Sequence, residues 1–240
     1  MRMRRAMPLP HSWSVSPTEA AEIQRRMRGH LVMQAPPGFA PRLVAGADIS
    51  LDVPSRFAPD RPVDNRAYAG IVVIDRETME TAEEATAVAE ITFPYVPGLL
   101  SFRELPAVAQ AWDALRTRPD VLIFDGAGYA HPRRFGLACH GGVLFDVPSI
   151  GCAKSILVGR HGPLGERRGS AADLVDRGEV VGMAVRLRDR VNPVYVSIGH
   201  KMDLPTAVEV VLSVAAGYRE PETTRRAHRL VNEMRKGLRD

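Results

Sequence analysis

The sequence predicts a mixed α/β fold with an antiparallel portion and a buried parallel strand. Three observations predict it. Apolar, strand-like segments at residues 43–51, 67–75 and 85–93 follow one another closely, the pattern of an antiparallel meander. Residues 121–125 (VLIFD) form a short, wholly apolar run, as expected of a strand covered on both faces. Helix-start signals, a Ser followed three residues later by a Glu, occur at Ser16–Glu19 and Ser101–Glu104.

Each element has a local reason. The basic N-terminus, residues 1–12, reads as a mobile tail and lacks the continuous apolar stretch of a secretory signal. Ser16 and Glu19 open an amphipathic helix running to about His30. The first strand, LVAGADISL, is followed by a Pro- and Asp-rich loop at residues 52–66, then by the second and third strands. Pro94 and Pro97 make the next turn rigid and non-helical, and Ser101 with Glu104 opens a helix through about Thr117. After the strand at 121–125 come a Gly-rich turn, a helix near 135–143 and a short strand at 147–151. Residues 180–187 and 194–198 read as a late hairpin around Asn192 and Pro193. Helices from Pro205 and Pro221 close the chain, each with proline in its first turn. With no internal repeat and no low-complexity linker, one domain over residues 1–240 is the simplest partition.

A chain of 240 residues buries a substantial core, and 45% hydrophobic with 25% charged residues is close to the soluble globular average. No run of 18 apolar residues occurs, so no membrane span is expected and a cytoplasmic location follows. The net charge of +4 comes mainly from arginine, which grips phosphate through paired hydrogen bonds; a polyanionic partner is permitted. Cys139 and Cys152 form neither a disulfide framework nor a zinc spacing and read as free thiols.

Two aspartates sit on apolar strands: Asp48 inside VAGADISL and Asp125 ending VLIFD. A carboxylate there is costly unless paired, hydrogen-bonded or bound to a cation. Mg²⁺ takes one or two carboxylates plus water and substrate phosphate, so a sparse set suffices. Glu104 is a candidate third oxygen ligand, and His200, ending the strand SIGH, a candidate ligand or proton donor. Each residue also has an ordinary structural role open to it. Glu104 closes a capping box with Ser101, Asp125 makes an Asx-turn into Gly126, and His200 braces a strand end. The turn from Gly126 to Arg134 lacks the third glycine of a dinucleotide fingerprint, and no phosphate loop of the G-K-[ST] kind occurs. A glycine-lined slot, where a base approaches the backbone closely, fits it better.

The runs VAGADIS (44–50), FPYVPGLLSFRE (93–104) and PDVLIFDGAGYAHPRRFG (119–136) are long and specific. With VPSIGCAKS (147–155) and PVYVSIGHKMD (193–203) in the same order, they resemble the endonuclease V family. The resemblance implies a ribonuclease-H-like fold, a mixed sheet flanked by helices. It implies a metal site of Asp48, Glu104 and Asp125 with His200 close by, holding Mg²⁺, with Mn²⁺ able to substitute. It implies cleavage of the second phosphodiester bond 3′ to a deoxyinosine, leaving a 3′-hydroxyl and a 5′-phosphate. Tyr95, between Pro94 and Pro97, matches the wedge pushed into the duplex. Gly126, Gly128 and His131 match the pocket for the displaced base, Lys154 approaches the cleaved phosphate, and Arg103 suits a backbone phosphate. The implied partner is DNA carrying deoxyinosine or other damaged or mismatched bases, with inosine RNA as an alternative, acted on by a monomer in DNA repair. A non-catalytic nucleic-acid-binding protein and a small-ester phosphatase are the competing classes. The carboxylate set argues against the first, and the rigid wedge against the second. The chain departs from the family's usual E-P-T-R in reading Glu222-Thr223-Thr224-Arg225, and its 52–66 loop is longer and richer in proline than expected.

Overall fold

The computed structural model describes residues 11–51 and 65–237. The strands among them are β1 (Leu43–Leu51), β2 (Arg66–Asp75), β3 (Thr81–Glu90), β4 (Val121–Phe124), β5 (Ser149–Ala153), β6 (Arg160–His161), β7 (Ala171–Asp176), β8 (Glu179–Val185) and β9 (Val194–Ile198). The helices are α1 (Pro17–Met27), α2 (Leu100–Ala114), α3 (Leu137–Phe145), α4 (Leu204–Ser213) and α5 (Glu222–Gly237). All nine strands join one sheet in the order β3-β2-β1-β4-β5-β9-β8-β7-β6. The expected meander is present as β3-β2-β1, and β4 lies parallel between β1 and β5. The late hairpin is present as β8 against β9.

Alternation along the strands sends side chains to two apolar layers. Val44, Val72, Ile74, Val121 and Ile123 face the layer that holds α1, α4 and α5. Ala45, Ala47, Ile71, Val73, Leu122 and Phe124 face α2, packing on Leu105, Val108, Ala111 and Trp112. The wholly apolar reading of β4 is thus explained by cover on both faces. α5 crosses β1 and β2 so closely that only glycine fits beneath it. A Cβ built at Gly46 would lie 2.3 Å from the Thr223 carbonyl carbon and 2.5 Å from the Thr224 nitrogen. That contact fixes where the last helix begins, and the missing family proline at Thr223 leaves its start intact, with the Arg225 N–H donating to the Pro221 carbonyl at 3.0 Å.

Several expectations shift. The Ser16–Glu19 box forms, with Glu19 accepting from the Ser16 N–H at 2.8 Å. The Ser101–Glu104 box does not. α2 begins at Leu100, its cap residue Leu99 makes no side-chain bond, and the Ser101 hydroxyl instead turns inward to His140 Nδ1 at 2.9 Å. The buried histidine is the partner that Ser101 takes, while the Glu104 carboxylate lies towards Asp48 and Asp125. β3 runs earlier than residues 85–93 because it pairs along the whole of β2, Arg66 opposite Glu90. Its sequence, TAEEATAVAE, buries only Ala85, so a polar edge strand hid its own start. β6 and β7, short and largely polar, were not anticipated. Residues 52–64 of the predicted loop and 1–10 of the predicted tail lie outside the described residues. Of the last two tail residues, His11 packs on the body, its Nε2 lying 2.7 Å from His140 Nε2. Cys139 and Cys152 are free and buried. Among the described residues no helix is long and apolar enough to cross a membrane.

Gly46→Ala forces the α5 backbone away from β1. The expected loss is about 1–3 kcal/mol or more, as for other overpacked cores, read as a lower urea midpoint. An unchanged midpoint contradicts the packing described.

Candidate active site

Parallel pairing of β1 with β4 sets Ala47 opposite Phe124, and the Asp125 N–H donates to the Ala47 carbonyl at 3.3 Å. The next residues along, Asp48 and Asp125, therefore stand side by side where the β1–β4 ladder ends. Since paired residues of neighbouring strands share a face, both point to the α5 side, in line with Val44–Val121 and Gly46–Ile123 behind them. Glu104, in the second turn of α2, joins them closely enough for their charges to act on it. Burial, then the Asp48 and Asp125 charges, push the Glu104 carboxyl up to about 8, with Arg103 opposing. Burial, then Asp125, push Asp48 up to about 6, opposed by a backbone hydrogen bond and by His228. Among the described residues no hydrogen bond reaches the Glu104 carboxylate.

Two side chains answer this negative charge. Lys154, just past β5, puts Nζ 2.7 Å from Asp125 Oδ2 and 2.9 Å from Glu220 Oε2. Burial works against its charge, but the Asp125 and Glu220 carboxylates outweigh it and hold its pKa above the ordinary lysine value. On α5, His228 Nδ1 lies 2.6 Å from Asp48 Oδ2. The Asn232 amide, one turn on, sits 2.9 Å from His228 Nε2, and its oxygen accepts from the Ser50 hydroxyl at 3.0 Å. With Nε2 accepting, the ring proton is on Nδ1 and is donated to Asp48.

His228 takes the place that the sequence reading gave to His200. β9 runs antiparallel to β5, with Ile198 opposite Ile150, so His200 lies at the amino end of β5 and the carboxylates lie at the other end of the sheet. There His200 accepts from the Val32 N–H at 3.3 Å and lies 3.6 Å from Asp146. His228 and Glu220 were missed. The only sequence signal for His228 was its spacing of four from Asn232 on a helix face, and such a pair is commonplace.

One turn of α2 before Glu104 lies an open cavity of about 140 Å³, lined by Gln24, Tyr95 to Gly98, Leu100, Ser101, Ala127, His131, Gly136, Leu137 and Leu157. That size compares with the roughly 150 Å³ that take one benzene ring. Tyr95 stands at its edge with 71% of its surface exposed, on the turn flanked by exposed Pro94 and Pro97. Of the predicted pocket residues His131 lines the cavity, whereas Gly126 and Gly128 do not. A Cβ at Gly128 would meet the Ile198 carbonyl at 2.1 Å and one at Gly126 the Leu137 side chain at 3.0 Å, so these glycines let the turn pack on β9 and α3. Arg103 donates from Nη1 to the Phe93 carbonyl at 3.0 Å and braces the base of the Tyr95 turn. Arg134 is buried against Asp176 and Glu179 at 2.7 and 2.8 Å.

An oxygen-only donor set with mutual repulsion suits a hard divalent cation. Among the described residues no three His, Cys, Asp or Glu side chains already converge at ligating distance, because Lys154 and His228 hold the Asp125 and Asp48 oxygens. The chemistry of the donors fits such a cation, and Asp48 and Asp125 would have to turn from their present partners to hold it with Glu104.

Raised carboxyl pKa values have a definite sign. Each group favours the fold below its unfolded value, near 3.8 for Asp48 and 4.5 for Glu104, and loses that contribution as pH rises through about 6 and about 8. In chelator, the melting temperature is expected to fall from about pH 5 to about pH 9, with Glu104→Gln flattening the upper part of the decline. An equally steep decline in the mutant contradicts the proximity of these charges.

The endonuclease V family model matches residues 25–229. Endonuclease V of Myxococcus xanthus is 61% identical over 224 residues, 93% of this chain and 92% of the relative. The crystal structure of endonuclease V from Streptomyces avermitilis is 42% identical, with a TM-score of 0.87 over 97% of this chain and 98% of that one. Endonuclease V of Ciona intestinalis, solved in complex with a 24mer DNA containing an inosine followed by a ribo-adenosine, is 25% identical, with a TM-score of 0.76 over 92% and 98% of the two chains. The ribonuclease-H-like sheet flanked by helices is thus the fold observed. The chain belongs to the endonuclease V family.

Proposed function

We propose that this protein is a metal-dependent endonuclease that recognises deoxyinosine in DNA and cuts the second phosphodiester bond on its 3′ side, leaving a 3′-hydroxyl and a 5′-phosphate in the course of repair. The observation that carries the reading is the in-register pair Asp48 and Asp125, with Glu104, one turn away from a ring-sized cavity edged by an exposed tyrosine. Family membership and the inosine-containing DNA bound by the Ciona relative support it.

A base is inspected only after leaving the stack, at a cost of a few kcal/mol that is smaller where pairing is already poor. Tyr95, held by two prolines, fills the vacated space as inserted side chains do in other DNA-bending proteins. The displaced base enters the cavity between the Tyr95 turn and the Ala127–His131 turn, which brings its backbone to the carboxylates. Asp48, Asp125 and Glu104 would hold Mg²⁺, with Mn²⁺ as a substitute, and such a cation polarises a phosphate and activates bound water when present. Lys154, already at Asp125, is placed to neutralise charge developing on the phosphate. His228 orients Asp48 through its Nδ1 proton and supplies the proton-transfer role first assigned to His200. An endoribonuclease acting on inosine RNA is the second reading, favoured by the ribo-adenosine beside the inosine in the Ciona complex.

Matched inosine oligonucleotides in DNA and in RNA, with Mg²⁺ and with chelator, test the activity. Asp48→Ala and Asp125→Ala are expected to lower cleavage at least ~100-fold, as loss of a transition-state charge stabiliser does, with inosine binding still measurable. Full activity in either mutant sinks the site. Tyr95→Ala is expected to weaken the preference for inosine DNA over normal DNA in a binding titration; an unchanged preference removes the wedge.

A further inference from the structure

The carbonyl oxygen of Gly98, at the wall of the cavity, accepts from three donors. Gln24 Nε2 reaches it at 3.1 Å, His131 Nε2 at 2.9 Å and Arg133 Nη2 at 2.6 Å. The Arg133 N–H donates to His131 Nδ1 at 3.1 Å, which leaves the ring proton on Nε2, directed at Gly98. Gln24 comes from α1, is 1% exposed, and its other amide atom, Oε1, takes Arg133 Nε at 2.5 Å. Burial, and then the like charge of Arg25, weigh against the Arg133 guanidinium, whose Nε is held by Gln24. The crowding requires glycine. Gly98 has φ of +78°, and a Cβ there would meet Arg133 Nη2 at 2.9 Å.

A carbonyl has two lone pairs, so three donors leave Gly98 with none to offer. We infer that Gln24 is a specificity-determining positioning residue: by holding Arg133 against the Gly98 carbonyl it keeps this wall of the cavity free of hydrogen-bond acceptors. The inference rests on the base-pocket reading proposed above. Hypoxanthine carries no exocyclic amine. Adenine carries one, and against a wall whose acceptor is already saturated that amine loses its water and gains no partner. A buried donor left unpaired is disfavoured by roughly tenfold. Gln24 does not touch the base; it acts through Arg133. Without it, Arg133 swings away from Arg25 and one lone pair of Gly98 becomes free for an amine.

The test uses the full chain in chelator and all-thymidine single strands that carry one inosine, one adenosine or one abasic site at the same position, so that duplex pairing plays no part. Gln24→Met and Arg133→Met are each expected to lower the inosine-over-adenosine binding ratio about tenfold, with the abasic strand giving the base-independent change that is common to both. Because one residue acts through the other, the double mutant is expected to lose no more than either single mutant. A preference that survives Gln24→Met overturns the inference alone, as does a double mutant whose losses multiply. A wild-type chain with no preference for inosine overturns the function proposed above and this inference with it.

Discussion

Two charged carboxylates at matching positions on adjacent parallel strands repel each other. Asp48 and Asp125 are in that position because one stretch of parallel ladder, Val44 to Ala47 against Val121 to Phe124, fixes their register. Much of the surrounding structure is a response to that repulsion. Lys154 sits at Asp125 and is shared with Glu220, while His228, held by Asn232, sits at Asp48. Glu104 is left raised and without a partner among the described residues. A slip of one residue in the β1–β4 register would send one aspartate into the α2 layer and dissolve the site.

The same register explains why two helices that share no sequence motif contribute to one centre. α5 delivers His228 only because Gly46 and Gly70 let it settle on β1 and β2. α2 delivers Glu104 only because the turn before it, stiffened by Pro94 and Pro97 and tied by Gly98 to α1, sets where the helix begins. That turn also carries Tyr95. Under the proposed function, metal chemistry and base recognition would be coupled through the few residues between β3 and α2.

Much of this was legible in the sequence, for physical reasons that also mark where legibility stopped. β1, β2 and β4 are dense in apolar residues because both their faces are covered, and their bounds could be read to within a residue. β3, β6 and β7 lie towards the edges and alternate weakly, so β3 was misplaced and the other two were not seen. Asp48 and Asp125 stood out because a charge inside an apolar strand needs a reason. His200 misled for a related cause: a histidine ending a strand looks like a site residue, but strand direction decides which end of the sheet it reaches, and β9 runs the wrong way. His228 carried no such contrast, since α5 is charged along its length. Gly126 and Gly128 were read as a slot for a ligand when the close approach they allow is to β9 and to Leu137. From sequence alone, a glycine shows that something comes near but not what it is.

The central claim is that these repelling carboxylates are held for a divalent cation. At neutral pH Glu104, with its pKa near 8, keeps a proton that a bound cation must displace. Calorimetric titration of Mg²⁺ into the protein, in two buffers of different ionisation enthalpy, reads that proton directly. The account predicts saturable binding with release of about one proton, and loss of both in Asp48→Asn. Binding that releases no proton, or that persists undiminished in Asp48→Asn, would contradict it.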